Sequence, residues 1–359
     1  MSEIQNLSAK NTVLLTSDLI LYMSPSSYTI AALVLFVIGF FGFFFNLLVI
    51  LLMWNDRQLW TPLNIILFNL VCSDFSVSIL GNPWTLISAI HYGWMWGSTM
   101  CVIYGFFMSL LGITAITTLT VLAFVRFLIV SKPFRNQYLG SNKSLYIVAG
   151  IWLYSLCLTS PPLFGWGKYV NEAANISCSV NWEDRSFDTT AYILYLFFFG
   201  LIGPLAVIIY SYSHILATMK KNKLNAGRVS RIEARTTYMI LVMILAFLIA
   251  WTPYAVFALL AQFADPALIT PATAVLPGLI AKSSICYNPV IYIGLNNQFR
   301  QSLKQIFNKN RNSKNSISDT YALAVSKCAS QPNSPDRVLT DSRRSAMEGN
   351  GQNLGEVRL

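Results

Sequence analysis

Residues 19–55 contain no Asp, Glu, Lys or Arg, and that gap constrains the chain more than any other feature. A helix needs about 20 mostly apolar residues to cross the hydrocarbon of a bilayer. The gap recurs: residues 58–73, 75–125, 144–167, 189–219 and 236–264 are also uncharged, and residues 266–281 and 283–299 flank a single Lys282. A polar break at His91–Ser98 divides the run 75–125 in two. The pattern predicts an all-α membrane protein, a bundle of seven transmembrane helices whose first span covers Tyr28–Met53. No segment shows the short alternation of a membrane barrel. Only 11% of the 359 residues are charged, against about 25% in a soluble domain. That scarcity excludes a soluble enzyme, a disordered chain and a nucleic-acid binder, despite a net charge of +10.

The basic residues orient the bundle. Lys10, Lys168 and Arg185 fall on the side of the N-terminus. Arg57, Arg126, Lys132, Arg135, Lys143, the six between Lys220 and Arg235, and ten more from Arg300 onward fall on the other. The positive-inside rule then places the N-terminus outside and the C-terminus in the cytoplasm of an integral membrane protein. The surplus charge is accounted for by topology and contact with anionic lipid.

The expected organisation is an extracellular segment 1–27, a bundle 28–295, a short amphipathic surface helix over 296–307 and a polar, disordered tail 308–359. No cleavable leader is apparent. Asn6-Leu7-Ser8 is a glycosylation sequon on the outer side, and Asn175-Ile176-Ser177 is a second one in a loop. With His91 and His214 the only histidines, histidine-based metal or triad chemistry is not expected. No zinc spacing or phosphate-binding glycine loop is present. Of six cysteines, only Cys101 and Cys178 fall on the oxidising side, and a disulfide between them would tie the second outer loop over the bundle. Cys72, Cys157 and Cys286 read as small apolar residues, and Cys328 lies in the tail.

Lys282 carries the most chemical information. A lysine at mid-membrane costs about 2.5–3.5 kcal/mol on insertion scales, and intramembrane charges are retained for function or paired with one another. Pairing with Asp74 is the packing alternative. An amine held out of water is a nucleophile that condenses with an aldehyde to a Schiff base. An ion or proton pathway is the other option, but Asp74 is the single carboxylate within the spans.

Seven spans, the Cys101–Cys178 pair, Trp251-Thr252-Pro253-Tyr254 in span six and Asn288-Pro289-Val290-Ile291-Tyr292 in span seven resemble a rhodopsin-like G-protein-coupled receptor. Lys282, six residues before Asn288, narrows the resemblance to an opsin. Asn46, Thr61-Pro62-Leu63-Asn64, Asp74, Gly105-Phe106-Phe107, Pro161-Pro162-Leu163 and Gly165-Trp166 follow in the expected order. Thr61-Pro62-Leu63-Asn64 and Asn297-Gln298-Phe299-Arg300 look more like the ciliary branch than the insect visual branch. The resemblance implies a light-activated receptor and not an enzyme. Lys282 would carry 11-cis-retinal as a Schiff base in a pocket with Tyr104, Gly112, Trp251 and Tyr254. Isomerisation to all-trans would swing span six outward and expose a cleft for a heterotrimeric G protein. Arg126, Glu233, Asp74, Asn288, Pro289 and Tyr292 would serve activation. A receptor kinase and arrestin would act on the tail serines and threonines. The alternative is a retinal photoisomerase with weak or no G-protein signalling.

Two departures from the family pattern matter. Where vertebrate visual pigments have a carboxylate, three residues after the span-three cysteine, this chain has Tyr104, and span three has no Asp or Glu. Glu172, six residues before Cys178, matches the site that similar opsins use as counterion, often in bistable pigments. Span three ends in Val125-Arg126-Phe127, without the usual acid before the arginine. Glu233 remains to pair with Arg126. Loss of one restraint, about 1 kcal/mol for an exposed pair, is expected to raise dark activity.

Overall fold

The computed structural model describes residues 23–131, 140–224, 231–265 and 270–305, apart from the side chains at 221–224, 231–233 and 272. Asn6, the tail serines and threonines, Cys328 and the side chain of Glu233 therefore lie outside the described residues. Chain contacts divide the protein into one unit ending at Ser302 and a second beginning at Leu303.

Three spans open in the same way. α1 (Pro25–Asn55) begins after Ser24, whose side chain accepts from the Ser27 amide. α2 begins at Pro62, after Thr61 accepts from Asn64, and α7 begins at Pro271, after Thr270 forms a reciprocal capping pair with Thr273. In each, a hydroxyl satisfies an orphan N–H, and the proline occupies the first helical position, where its missing donor costs nothing.

Three spans are not regular α-helices throughout. α2 comprises Pro62–Ser76, a π turn Val77–Gly81 and Asn82–Ile90. α3 spans Gly97–Ser131 and α4 Ser141–Thr159. The hairpin strands β1 (Tyr169–Asn171) and β2 (Cys178–Val180) pair antiparallel in the loop that follows. α5 joins Phe187–Phe197, a π turn Phe198–Ile202 and Gly203–Leu224. α6 runs Arg231–Phe263 through Pro253. α7 continues from Pro271–Ser283 through a 3₁₀ turn Ser284–Cys286 into Tyr287–Leu295. A final helix, α8, covers residues 297–305.

Among the described residues, six helices are long and apolar enough to cross a membrane: Pro25–Asn55, Pro62–Ile90, Gly97–Ser131, Phe187–Lys220, Ala234–Phe263 and Thr273–Leu295. α4 completes the seven. It is shorter than the uncharged run 144–167 implies, because the chain turns into a 3₁₀ segment at Pro161–Phe164. Consecutive prolines there remove two backbone donors. Asp74 falls within α2, as the sequence placed it within a span. The uncharged stretches on its two sides belong to one helix.

The spans are sorted by size and polarity. α1 buries Tyr28, Ala31, Leu35, Ile38, Gly42, Asn46 and Val49 at helical spacing. The opposite face exposes Leu33, Phe36, Phe40 and Phe44, as lipid contact requires. Small and polar residues mediate the inner contacts. A β-carbon at Gly42 would lie 2.7 Å from Ile285 Cδ1 and 2.8 Å from Ser78 Oγ, so glycine lets α1, α2 and α7 approach. Asn69 donates to Thr118 (2.9 Å) and accepts from the Trp152 indole (2.8 Å), joining α2, α3 and α4. The Ile285 carbonyl faces Pro289, which has no N–H to offer it. Asn46 of α1 donates to it instead, at 3.0 Å, as a backbone group in hydrocarbon must be satisfied from within the protein.

Gly42→Val should lower thermal stability in detergent by about 1–3 kcal/mol, the usual cost of overpacking. An unchanged unfolding midpoint would show that α1 does not need this close approach.

Candidate functional site

Lys282 lies in the last turns of the first segment of α7 and points into the bundle. Its Nζ donates to Thr85 Oγ1 and to Tyr104 Oη, each at 3.0 Å, and those two hydroxyls are 2.6 Å apart. Asp74 is engaged elsewhere, accepting from Asn288 Nδ2 at 2.8 Å. The pairing of Lys282 with Asp74 weighed from the sequence is therefore not the one formed. Thr85 was not foreseen. It lies beyond the π turn of α2, where the helical phase differs from that at Asp74.

The amine lines a cavity of about 590 Å³, within the range of roughly 300–1,000 Å³ usual for small-molecule sites. Its walls are mostly apolar: Ile113, Ile116, Leu201, Leu205, Phe247, Val256 and Leu279, with Trp251 and Gly112 among them. The Trp251 ring packs against Gly112 so closely that a β-carbon there would lie 2.8 Å from Cη2. Phe247 stacks on Trp251 with centroids 5.4 Å apart, and the indole N–H donates to Ser284 Oγ at 3.1 Å. The arrangement suits an elongated apolar ligand with one electrophilic end.

One end of the cavity is lined by the hairpin. The Cys101–Cys178 disulfide forms, with Cα atoms 5.4 Å apart, and joins β2 to the start of α3. The turn between the strands is tight: the Glu172 amide donates to the Ser177 carbonyl (2.9 Å), and the Asn175 amide donates to the Glu172 carbonyl (2.7 Å). Asn175 has φ 54°, the left-handed region that Asn tolerates best among residues with a β-carbon. The turn brings Glu172 to the same cavity as Lys282. One carboxylate oxygen accepts from Tyr254 Oη at 3.0 Å and the other accepts from the Ser177 hydroxyl. Trp182 Nε1 donates to Tyr254 at 3.1 Å. Ser177, read from sequence only as part of a sequon, is buried and holds the carboxylate.

The residues expected to serve activation sit away from this cavity or beside its inner end. Asp74, Asn288, Pro289 and Tyr292 are buried together with Asn46 between α1, α2 and α7. Tyr292 stacks on Phe299 of α8, centroids 6.2 Å apart. Arg126 and Val125 are both buried near the end of α3.

A seven-helix bundle with a disulfide-tied hairpin over an apolar cavity is the architecture of seven-transmembrane receptors. Residues 45–292 match the family described as 7 transmembrane receptor (rhodopsin family). Relatives include rhodopsin of Sminthopsis crassicaudata, 34% identical over 284 residues that cover 78% of this chain and 82% of that one. Opsin-3 of Mus musculus is 34% identical, covering 79% and 72%, and parapinopsin of Ictalurus punctatus is 33% identical, covering 77% and 82%. The crystal structure of squid rhodopsin superposes with a TM-score of 0.73 at 26% identity over 93% of each chain. The protein belongs to the rhodopsin family of seven-transmembrane receptors, among the opsins.

Cys101→Ala opens a covalent link between residues 77 positions apart. It should cost about 2–4 kcal/mol, read as a lower unfolding midpoint that reductant no longer shifts. A midpoint equal to the parent's would leave the disulfide without a role in holding the hairpin.

Proposed function

We propose that this opsin is a light-activated, G-protein-coupled receptor that holds 11-cis-retinal as a Schiff base on Lys282. The observation that carries this reading is the amine of Lys282 in the wall of an apolar cavity, bonded to hydroxyls and not to a carboxylate. When bound, 11-cis-retinal supplies a light-driven change of shape to the all-trans form. The residues of the chain do the rest. Thr85 and Tyr104 orient the amine, and the apolar walls exclude water. Gly112 lets Trp251 stand close to the ligand path. A change in ligand shape is then felt by Trp251, whose bond to Ser284 ties α6 to α7 in the resting arrangement. A ligand shifts such an equilibrium only by contacting the two states differently, and Trp251 and Tyr254 are among the α6 side chains placed to do so.

A protonated Schiff base needs a negative partner in so apolar a site. With Tyr104 at the span-three position, Glu172 is the carboxylate proposed for that role. Its place on the hairpin, and not on a moving span, supports a photoproduct that keeps its partner, and hence a bistable pigment. At the far end, Arg126, Glu233, Asp74, Asn288, Pro289 and Tyr292 are proposed to couple opening of α6 to a heterotrimeric G protein. The N-terminus would be extracellular, with glycan on Asn6, and the C-terminal tail cytoplasmic, for receptor kinase and arrestin. A second reading, a retinal photoisomerase with little signalling, draws on Val125 in place of the usual acid.

Spectra taken before and after light, with 11-cis-retinal and with and without G protein, test the whole scheme. The parent should form a visible band that shifts on illumination and drives nucleotide exchange, and Lys282→Ala should form none. Equal spectra from both would end the retinal reading. Glu172→Gln should lose the visible band to a near-ultraviolet one at neutral pH, because the positive charge has lost its partner. An unaltered band would exclude Glu172 as counterion. A light-shifted spectrum without nucleotide exchange would favour the photoisomerase. Restoring an acid beside Arg126 in Val125→Glu should lower dark nucleotide exchange; exchange equal to the parent's would show that the missing acid does not set dark activity.

A further inference from the structure

The ends of α6 and α7 remote from the hairpin are joined by a bond that none of the roles above uses. Arg235 Nε, near the start of α6, donates to the carbonyl of Leu295 at 2.7 Å. Leu295 is the last residue of α7, and its carbonyl is one of the four that a helix end leaves without an intrahelical donor. The backbone donors just beyond it go elsewhere. The Asn296 amide bonds Tyr292 (2.8 Å), and the Arg300 amide bonds Asn296 (3.2 Å). The negative end of the α7 dipole favours a guanidinium at this place.

On its other side, the same stretch of α6 is held from α5. The buried Tyr212 hydroxyl donates to the Thr237 carbonyl at 3.2 Å. Pro253 lies within α6, about 27 Å along the helix from Arg235 at 1.5 Å per residue. A proline in a helix interior removes a backbone bond and is a usual site of bending. The Arg235 end is thus the far end of a lever, and its lateral position rests on side-chain bonds to backbone carbonyls.

We infer that Arg235 is a resting-state latch that holds the end of α6 against α7 and makes good, in part, the restraint lost where Val125 replaces an acid. The inference rests on the reading that α6 moves on activation. It uses an acceptor of a particular kind. A backbone carbonyl is not removed by side-chain substitution. The acceptor in this bond does not titrate, unlike that of an arginine–carboxylate pair.

Hydrogen exchange of the purified full chain, kept dark and without ligand, tests the latch directly. In Arg235→Ala, amides of residues 234–242 and 291–296 should exchange about ten-fold or more faster, the opening expected when a charged donor is lost. Amides of residues 273–281, at the hairpin end of α7, should keep the parent rate. Arg235→Lys, which retains a cation and a donor on a flexible stem, should fall between. Parent-like exchange at both inner segments in Arg235→Ala would overturn the inference. So would an equal rise along the whole of α6 and α7, which marks general loosening and not a latch. The measurement needs neither chromophore nor G protein, so a failure of the light response would show separately in the spectra of the parent.

Discussion

A primary amine within a bundle of apolar helices must find its acceptors inside the protein, and much of the outer half of this structure follows from that requirement. Thr85 and Tyr104 supply two hydroxyls to Lys282. Those hydroxyls reach it only because α2 passes through a π turn and α3 is pinned by Cys101 to the hairpin. The hairpin in turn carries Glu172 to the same cavity. An ionised carboxylate there faces the same demand, and it is met by Tyr254 and Ser177. Two opposite ionisable groups are thus lodged in one apolar chamber, each solvated by hydroxyl groups and not directly by the other. Such a chamber can receive a ligand between them without first breaking an ion pair.

The inner half obeys the same rule by different means. Here the groups to be satisfied are backbone carbonyls freed by prolines and helix ends. Asn46 takes the Ile285 carbonyl that Pro289 leaves open, and Arg235 takes the Leu295 carbonyl at the end of α7. The irregular backbone of α7 is therefore bonded to α1 on one side and to α6 on the other. A helix whose internal ladder is interrupted has exchanged local bonds for bonds to its neighbours, and its geometry becomes sensitive to theirs.

Much of this was legible in the amino-acid sequence, for reasons that differ by element. The spans could be counted because hydrocarbon excludes charge, so the gaps between Asp, Glu, Lys and Arg mark them. Asp74 did not disturb that count, because the polar break at His91–Ser98 and not the carboxylate divides spans two and three; its bond to Asn288 lets it lie within a span. α4 was overestimated because an uncharged run continues through Pro161 and Pro162, which end the helix without adding charge. The Cys101–Cys178 bond followed from compartment and number. Thr85 and Ser284 escaped notice because hydroxyls are common in spans, and Ser177 and Trp182 because residue type in a loop does not show which side chains face the cavity. The roles of Thr85 and Ser284 depend on helical phase, and a π turn inserts a residue that shifts that phase by about 100°. A wheel drawn through Asp74 cannot be extended across Val77–Gly81 to find the partner of Lys282. The Arg235 bond was hidden for a plainer reason: its acceptor is backbone and leaves no trace in residue type.

Tyr254 touches both the hairpin and the lever. Its hydroxyl is on α6, yet it donates to Glu172 and accepts from Trp182. Free-energy coupling between two sites is reciprocal. Whatever strength this bond lends to the position of α6, an equal strength is lent by α6 to the setting of Glu172. A partner seated at the opposite end of the bundle, by holding α6 displaced, would alter the electrostatic setting of the ligand chamber without touching it. Chromophore colour would then serve as a gauge, read from outside, of what is bound within.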